Sequence, residues 1–368
     1  MEIPFVDLKA QYETIKPEID AAIADVISKT AFVGGAHLDS FESAFANYCG
    51  VGHCIGVANG TDALFIAFKT LGIGPGDEVI TVANSFIATS EAITQAGAKV
   101  VFTDIDPITY NIDVVQLEKK ITPKTRAIVP VHLFGQPADM DPIRAIAKKH
   151  NLYIVGDAAQ AHGAVYYGNP VATLADITCY SFYPGKNLGA YGDGGAVVTD
   201  NAEWAAKARK FANHGRSQKY DHDFEGINSR LDGLQAAILD VKLGHLPRWT
   251  ESRQRNARIY TELLKNLPVE TPNEMPNVNA VYHLYVVRVP AEKRNGFQEF
   301  LKSNGISTGI HYPIPLPYLN AYHYLEHSEK DFPEALKASR EIVSLPMYPE
   351  LNAGQIEYIT SIIGKFQI

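Results

Sequence analysis

Apolar and polar positions along the first two-thirds of the chain predict short strands separated by helices. The predicted strands are almost continuously apolar runs, each too short to be an ordinary helix. They cover residues 53–57, 78–81, 99–103, 127–131, 152–156, 177–182 and 195–199. Between them, apolar residues recur at the three- and four-residue spacing of helices, for example over 87–96 and 142–150. The pattern predicts an α/β fold with a mainly parallel central sheet flanked by helices.

The pattern changes after Thr199. A helix is predicted over 202–211, then a polar loop over 214–230, then a long helix that starts at Leu231 and either continues through 249–267 or meets a neighbour there. A smaller α+β unit closes the chain, with strands predicted over 281–289 and 306–310 and helices over 296–303, 333–342 and 353–362. We therefore predict a large domain over 1–245 and a smaller C-terminal domain over 246–368.

Composition and charge exclude several classes of protein. The 33 Lys and Arg residues against 41 Asp and Glu give a formal charge of −8, which argues against a nucleic-acid partner. The three cysteines suggest neither a disulfide framework nor a zinc site, so we expect a cytoplasmic protein. The histidines lack paired ligand spacing, so no metal site is predicted. We expect no signal peptide and no membrane segment.

One lysine, Lys186, stands out because it lies in a glycine-rich turn between two predicted strands. The stretch reads Ser181-Phe-Tyr-Pro-Gly-Lys-Asn-Leu-Gly-Ala-Tyr-Gly-Asp-Gly-Gly-Ala196. Glycines let the backbone approach a flat or anionic ligand closely. A lysine held in such a pocket can lose its proton and attack a carbonyl carbon. The alternative is an ordinary solvated turn lysine.

Other polar residues follow neighbouring strands, where ligands bind in open parallel sheets. Together they match the needs of pyridoxal phosphate: a lysine for its aldehyde, an acid for its ring nitrogen, a phosphate cradle and an aromatic face. The candidates are Lys186 and Asp157 for the first two, Gly60, Thr61 and Ser181 for the phosphate, and Phe86 for the ring. Taken singly, Asp157 has an alternative interpretation as a helix cap or turn former, and Thr61 or Asp62 as a plain helix N-cap.

The sequence resembles the DegT/DnrJ/StrS family of nucleotide-sugar aminotransferases, within the fold-type-I superfamily of pyridoxal phosphate enzymes. Six short motifs carry the resemblance, in the family's order and across essentially the whole chain. They are Ala58-Asn-Gly-Thr-Asp-Ala-Leu64, Asp157-Ala-Ala-Gln-Ala-His-Gly163, Ser181-Phe-Tyr-Pro-Gly-Lys186, Gly192-Asp-Gly-Gly-Ala196, Asn228-Ser-Arg-Leu-Asp232 and His311-Tyr-Pro-Ile-Pro315.

The resemblance implies a homodimer whose active sites are each built from both subunits. It assigns Lys186 to the covalent bond with the cofactor and to proton transfer, and Asp157 to the pyridinium nitrogen. Gln160 would lie near the phenolic oxygen of the ring. Asn228 would reach the phosphate from the other subunit, which fits the low apolar content of residues 214–230 but fits a flexible surface loop equally well.

The implied reaction is transfer of an amino group from L-glutamate to a keto-sugar nucleotide. Arg230 is a candidate for binding a carboxylate or phosphate, and an ordinary ion pair with Asp232 is the alternative. His311 and Tyr312 would face the sugar nucleotide. Their motif resembles members that act on 3-keto sugars more than those that act on 4-keto sugars, although residues 316–319 depart from the usual continuation.

Three rival functions would fit parts of the same sequence. A sugar dehydrase would have histidine in place of Lys186. A nicotinamide dehydrogenase would place its glycines before a helix, whereas those of 189–195 precede a predicted strand. A cofactor-binding regulator without turnover stays open, because intact Lys186 and Asp157 do not exclude it.

Overall fold

The computed structural model describes residues 1–367, and a sheet organises the larger part of it. In chain order its strands are β1 (His53–Val57), β2 (Glu78–Val82), β3 (Lys99–Thr103), β4 (Thr125–Val129), β5 (Tyr153–Asp157), β6 (Val165–Tyr166), β7 (Asn169–Pro170), β8 (Ile177–Ser181), β9 (Gly195–Thr199), β10 (Arg216–Gln218), β11 (Asp221–His222), β12 (Val278–Asn279), β13 (Tyr285–Arg288) and β14 (Ile342–Leu345).

Seven of these strands form the central sheet, in the order β1-β9-β8-β5-β4-β2-β3. All run in the same direction except β9, which is antiparallel to both of its neighbours. The prediction of a mainly parallel sheet is therefore confirmed. The carboxyl ends of the six parallel strands share one edge, and β9 begins there, with Gly195 opposite Val57 on one side and Ser181 on the other.

Helices cover both faces of the sheet, because its strands are apolar on both sides. In chain order they are α1 (Leu8–Ser28), α2 (Ala36–Cys49), α3 (Gly60–Thr70), α4 (Ala88–Gln95), α5 (Val114–Leu117), α6 (Met140–His150), α7 (Ala202–Phe211), α8 (Gly233–Leu264), α9 (Arg294–Ser303), α10 (Pro333–Glu341) and α11 (Ala353–Ile363). Within the described residues no helix combines the length and apolar content needed to cross a bilayer.

The C-terminal part has its own apolar core, built on the β13–β14 pair and helices α9 and α11. Ile3 joins that core from the chain's other end and bridges to Ile306. Helix α8 passes through residue 245 without a break, so the segment after Trp249 continues the long helix. The predicted boundary at 245 falls inside this helix, and the division into two domains stays a prediction.

Two local predictions were wrong. Residues 306–310 form no strand; Ile306 and Gly309 make only isolated bridges, to Ile3 and Ser344. The sequence also did not predict strand β14, whose first residue, Ile342, had been assigned to the preceding helix. Four consecutive apolar or small residues here fill a buried strand, and a run of that length does not distinguish a strand from the end of a helix.

Candidate active site at the carboxyl edge of the sheet

Lys186 lies in the loop that connects β8 to β9, and this loop is tightly held. The Lys186 amide donates to the Tyr183 carbonyl (2.8 Å), and the Ala190 amide donates to the Phe182 carbonyl (2.7 Å). The loop closes so tightly that a Cβ at Gly189 would lie 2.3 Å from the Pro184 oxygen. Burial lowers the pKa of Lys186 to about 8, although the Asp157 carboxylate acts in the opposite direction. At pH 7 about one in ten of these amines is thus uncharged, far more than for a lysine with its ordinary pKa, and the uncharged form is the nucleophile.

Asp157 is the last residue of β5, and its carboxylate is buried. One oxygen accepts from the Thr89 hydroxyl (2.8 Å) and the other from the Ala159 amide (3.1 Å). The Thr89 hydroxyl in turn is 2.8 Å from that of Ser85. Burial raises the pKa of Asp157, and the hydrogen bonds from Thr89 and Ala159, followed by the charge of Lys186, oppose this. These contacts fix the carboxylate and favour its ionised form, which is the form able to hold a pyridinium proton.

The N-terminus of α3 meets the end of β8. The N-cap is Asn59, whose side chain accepts from the Asp62 amide (2.8 Å). The alternative interpretation of Thr61 or Asp62 as the N-cap is therefore wrong. Within residues 1–367 the amides of Gly60 and Thr61 have no hydrogen-bond acceptor. Free amides at a helix N-terminus favour an anion.

Glycine is required at two places in this cradle. A Cβ at Gly60 would lie 2.6 Å from Cβ of Ser181, and one at Gly195 would lie 2.4 Å from the Asn59 carbonyl oxygen. The helix therefore approaches the sheet closely enough to place the free amides beside the Ser181 hydroxyl. That donor set fits a phosphate group, and with Lys186 and Asp157 at the same edge it fits pyridoxal phosphate.

Gln160, Phe86 and Tyr312 lie together. The Gln160 side chain donates to the Tyr312 hydroxyl (3.1 Å) and accepts from the Phe134 amide (2.7 Å). The Phe86 ring, 55% exposed, lies 6.0 Å from that of Tyr312, tilted by 38°. An exposed aromatic face beside a fixed amide suits a flat ligand.

His311 is held by the C-terminal part of the chain. Its Nδ1 lies 2.9 Å from the Ser344 hydroxyl, and its ring stacks on Phe5. Burial, followed by the charge of Lys186, lowers the pKa of His311 to about 4, so the imidazole is neutral near pH 7. It can therefore offer a hydrogen bond to a sugar hydroxyl without adding a charge.

Asn228 and Arg230 are both exposed and lie on the polar segment that follows α7. Asn228 bridges to Asn213, whose side chain also accepts from Arg230 (3.2 Å). In the described part of the chain neither residue bonds to Lys186 or Asp157, and Arg230 forms no ion pair with Asp232. Between them, Ser229 is buried and accepts from the Ala58 amide (3.1 Å), just before the α3 N-terminus.

Sequence reasoning missed residues that support the site from behind. Thr89 holds Asp157, Asn59 caps α3, and Asn187 and His283 contact each other beside the lysine loop. Asn59 lies inside the motif over 58–64 and Thr89 inside the helix predicted over 87–96, so their hydrogen-bonding side chains were a usable signal. No sequence signal pointed to His283, because nothing in its local sequence indicates its long-range contact with Asn187.

Among the described residues there is no group of three or more His, Cys, Asp or Glu side chains that could hold a metal ion. His132 and His162 are buried singly, and burial lowers the pKa of His132 to about 4 and that of His162 to about 3. Both imidazoles are thus neutral parts of the packing.

Comparisons with known proteins identify relatives that match almost the whole chain. The chain is 48% identical to the "Pleiotropic regulatory protein" of Geobacillus stearothermophilus, over 100% of this chain and 99% of the relative. It is 44% identical to the dTDP-3-amino-3,4,6-trideoxy-alpha-D-glucose transaminase of Streptomyces venezuelae, over 96% and 93%. The crystal structure of NtdA from Bacillus subtilis with bound cofactor PMP superposes with a TM-score of 0.92 at 32% identity, covering 98% of this chain and 85% of that one.

A family model matches residues 13–364. The resemblance drawn from the six motifs is thereby confirmed, and so is pyridoxal phosphate as the cofactor of the family, since PMP is its amino form. The chain belongs to the DegT/DnrJ/EryC1/StrS aminotransferase family.

Proposed function

We propose that this protein transfers an amino group from L-glutamate to carbon 3 of a keto-sugar nucleotide. The observation that carries the proposal is the pairing, at one edge of the sheet, of a lysine whose pKa is about 8 with a buried aspartate held by Thr89. An amine that is partly uncharged can form a bond to an aldehyde and later carry a proton. A surface lysine has neither the lowered pKa nor the facing acid.

Bound pyridoxal phosphate supplies an electron-accepting ring, which lets a proton leave the carbon that carries the amino group. Each protein group then has a defined task. Lys186 holds the aldehyde and moves the proton, and Asp157 keeps the ring nitrogen protonated. Gln160 orients the ring's phenolic oxygen, and Phe86 covers a ring face.

The phosphate is proposed to lie on the amides of Gly60 and Thr61 and the hydroxyl of Ser181. We further propose a homodimer in which Asn228 of each subunit completes the phosphate site of the other. The exposure of Asn228 supports this assignment, because the side chain is free to meet a second copy. Arg230 beside it is suited to a carboxylate or a diphosphate.

The preference for a 3-keto sugar rests on two observations. The Streptomyces venezuelae relative is named for a sugar aminated at carbon 3. We also assign His311 and Tyr312 to the sugar, which is supported by the neutral imidazole of His311 and by the Tyr312 hydroxyl bonded to Gln160. Amination at carbon 4 is the alternative substrate choice.

A regulatory role without turnover is the second candidate function. It is favoured by one observation, the name of the Geobacillus stearothermophilus relative. The two functions predict different chemistry: a regulator binds cofactor and ligand without forming 2-oxoglutarate. A cytoplasmic location stays a prediction under either function.

A two-stage assay tests the proposal. Purified protein with pyridoxal phosphate is mixed with L-glutamate, and 2-oxoglutarate and the visible absorbance are followed. Nucleotide-linked 3-keto and 4-keto sugars are then added separately, and the aminated product is identified by mass spectrometry. We expect 2-oxoglutarate in the first stage and product from the 3-keto sugar in the second.

Lys186→Ala is the matched variant. It removes the amine, and we expect loss of the covalently bound cofactor and of turnover, while circular dichroism in the far ultraviolet is unchanged. Full activity in this variant would contradict the assignment of Lys186. Binding of cofactor and sugar nucleotide without any 2-oxoglutarate from the wild type would favour the regulator.

A further inference from the structure

Asn187, the residue after the proposed cofactor lysine, is buried, and both polar atoms of its side chain are hydrogen-bonded. Only 2% of it is exposed. Its amide nitrogen donates to the Val281 carbonyl (3.0 Å), and its amide oxygen lies 3.1 Å from Nδ1 of His283. Val281 and His283 belong to the segment that leads into β13, so Asn187 ties the lysine loop to the C-terminal part of the chain.

These two contacts fix the tautomer of His283. A carbonyl oxygen only accepts, so the Asn187 nitrogen must face Val281 and the Asn187 oxygen must face His283. An amide oxygen also only accepts, so Nδ1 of His283 carries the proton and donates it. In a neutral ring Nε2 is then the unprotonated nitrogen.

The ring is also kept neutral. Burial, followed by the charges of Lys186, Arg253, His311 and His162, lowers the pKa of His283 well below its ordinary value. A second cation would otherwise stand near Lys186 and repel its protonated form. His283 therefore offers a hydrogen bond to the lysine loop at no electrostatic cost.

The segment that carries His283 is itself anchored on two sides. The Val281 amide donates to the Gly135 carbonyl (2.9 Å), and the Leu284 amide to the Phe134 carbonyl (3.3 Å). Gly135, at φ +98°, allows this close approach, since a Cβ there would lie 2.8 Å from the backbone nitrogen of His283. On the other side, the Arg253 guanidinium donates to the carbonyls of residues 282, 283 and 347.

These bonds form a continuous series of contacts that connects the lysine loop to the Gln160 and Tyr312 side of the candidate site. From the lysine loop it runs through Asn187 to His283, along the chain to Leu284, and across to Phe134. The Phe134 amide then holds Gln160, which holds the Tyr312 hydroxyl. Lys186 and Tyr312, which are far apart in sequence, are thus connected by hydrogen bonds that pass through the Asn187 side chain, with one branch through His283 and another through Val281 and Gly135.

We propose that His283 is a positioning residue for Lys186, acting through its Nδ1–H bond to Asn187. The bond fixes the backbone of the lysine loop relative to the Gln160 and Tyr312 side of the site. The proposal rests on the proposed role of Lys186 as the cofactor lysine, but it does not depend on the sugar. Catalytic groups lose rate when they shift by a fraction of an ångström, so the tie should affect rate more than binding.

Two substitutions separate this role from simple packing. His283→Phe keeps a ring of similar size but removes the donor, and leaves the Asn187 oxygen buried without a partner. His283→Gln retains a donor that can reach the same oxygen. His150→Phe, at an exposed ion pair with Glu118, is the control for replacing a histidine by phenylalanine elsewhere in the chain.

The measurements use the cofactor-loaded protein and L-glutamate alone. They are the single-turnover rate and its half-saturation concentration, the circular dichroism of the visible cofactor band, and the melting temperature. For His283→Phe we expect a rate lower by about 10- to 100-fold, an altered visible circular dichroism, and a half-saturation concentration within about threefold of wild type. His283→Gln should recover most of the rate, and His150→Phe should match wild type.

A rate within threefold of wild type in His283→Phe would overturn the proposal, as would equal losses in His283→Phe and His283→Gln. If His283→Phe does not fold, Asn187→Ala removes the same bond from its other end, together with the Asn187–Val281 bond, and a rate within threefold of wild type in that variant would also overturn the proposal. Failure of the sugar stage leaves this test intact, whereas a wild type without covalently bound cofactor contradicts the proposed function first.

Discussion

The surroundings of Lys186 and the segment that carries Asn228 and Arg230 were predicted to serve one active site, yet they differ physically. Asp157 and the loop that carries Lys186 are held by hydrogen bonds within the same chain. Asn228 and Arg230 are exposed, and the Arg230 side chain donates to Asn213. The contacts that hold Lys186 and Asp157 come from one chain. The exposed side chains of Asn228 and Arg230 are instead available to bind another molecule.

The difference teaches which features a single folded chain can determine. Burial and fixed hydrogen bonds set the pKa of Lys186 and the orientation of Asp157 without help from outside. Exposed side chains on a polar loop pay a conformational cost when they are ordered, and only a ligand or a second subunit supplies the contacts that offset it. We therefore expect substitutions in the two regions to have effects of different size and kind.

The largest effect is expected from Asp157→Asn. A neutral amide no longer holds a proton on the ring nitrogen, so we expect the glutamate half-reaction to slow by about 100- to 1,000-fold. Cofactor binding should persist, as read from the visible absorbance. Asp176→Asn is the matched control, because Asp176 is another partly buried aspartate, just before β8 at the opposite edge of the sheet, where it accepts from the Ile154 amide.

The same variant tests the electrostatics. Asp157 raises the pKa of Lys186, so its neutralisation should move that pKa further below 8. The pH dependence of Lys186 acylation in cofactor-free protein, followed by mass spectrometry, measures the shift. An unchanged or higher midpoint would mean that the two groups are not coupled, and wild-type turnover would remove Asp157 from the mechanism.

A smaller effect is expected from Gly60→Ala. The added methyl would meet Ser181 at 2.6 Å, so the helix must move away from the sheet, at a cost of about 1–3 kcal/mol. Cofactor affinity should fall with stability, since the cradle widens. Gly244→Ala in α8 is the control: its Cβ has no neighbour within 4 Å, and alanine should stabilise the helix by about 0.5–1 kcal/mol. Urea unfolding and cofactor titration of both variants decide the matter.

The smallest effect on the fold is expected from Arg230→Ala. Because the side chain is exposed, the free energy of unfolding should change by less than about 0.5 kcal/mol. If Arg230 binds a substrate anion, the half-saturation concentration for glutamate or for the sugar nucleotide should rise by about tenfold or more, as for the loss of one charged hydrogen bond. A large loss of stability with unchanged kinetics would reverse the contrast between the two regions.

Much of the framework could be predicted from the sequence, because apolar runs and glycines act locally. The strands that end at Asp157 and Ser181, and the lysine loop itself, followed from such runs. The alternative that Thr61 or Asp62 caps α3 is wrong, since Asn59 is the cap; all three residue types are competent caps, and only the backbone angles distinguish them.

Long-range contacts could not be predicted in this way. The bond from His283 to Asn187 joins residues that are 96 positions apart, and the one from Tyr312 to Gln160 joins residues 152 apart. The local sequence around each residue does not indicate which distant residue it contacts. The residues that hold the candidate site together therefore emerged only from the folded chain, although the motifs had already indicated most of the residues proposed to contact the cofactor.

The reversed direction of β9 has one more effect. Because β9 runs back beside β8, the segment that carries Lys186 leaves the sheet and re-enters it at adjacent positions, so both of its ends are anchored a single strand spacing apart. A crossover helix in that place would have separated the two ends and let the amine follow the movements of a remote layer. A short return instead keeps the entropy of closing the loop low and makes the reactive nitrogen as steady as the sheet beneath it.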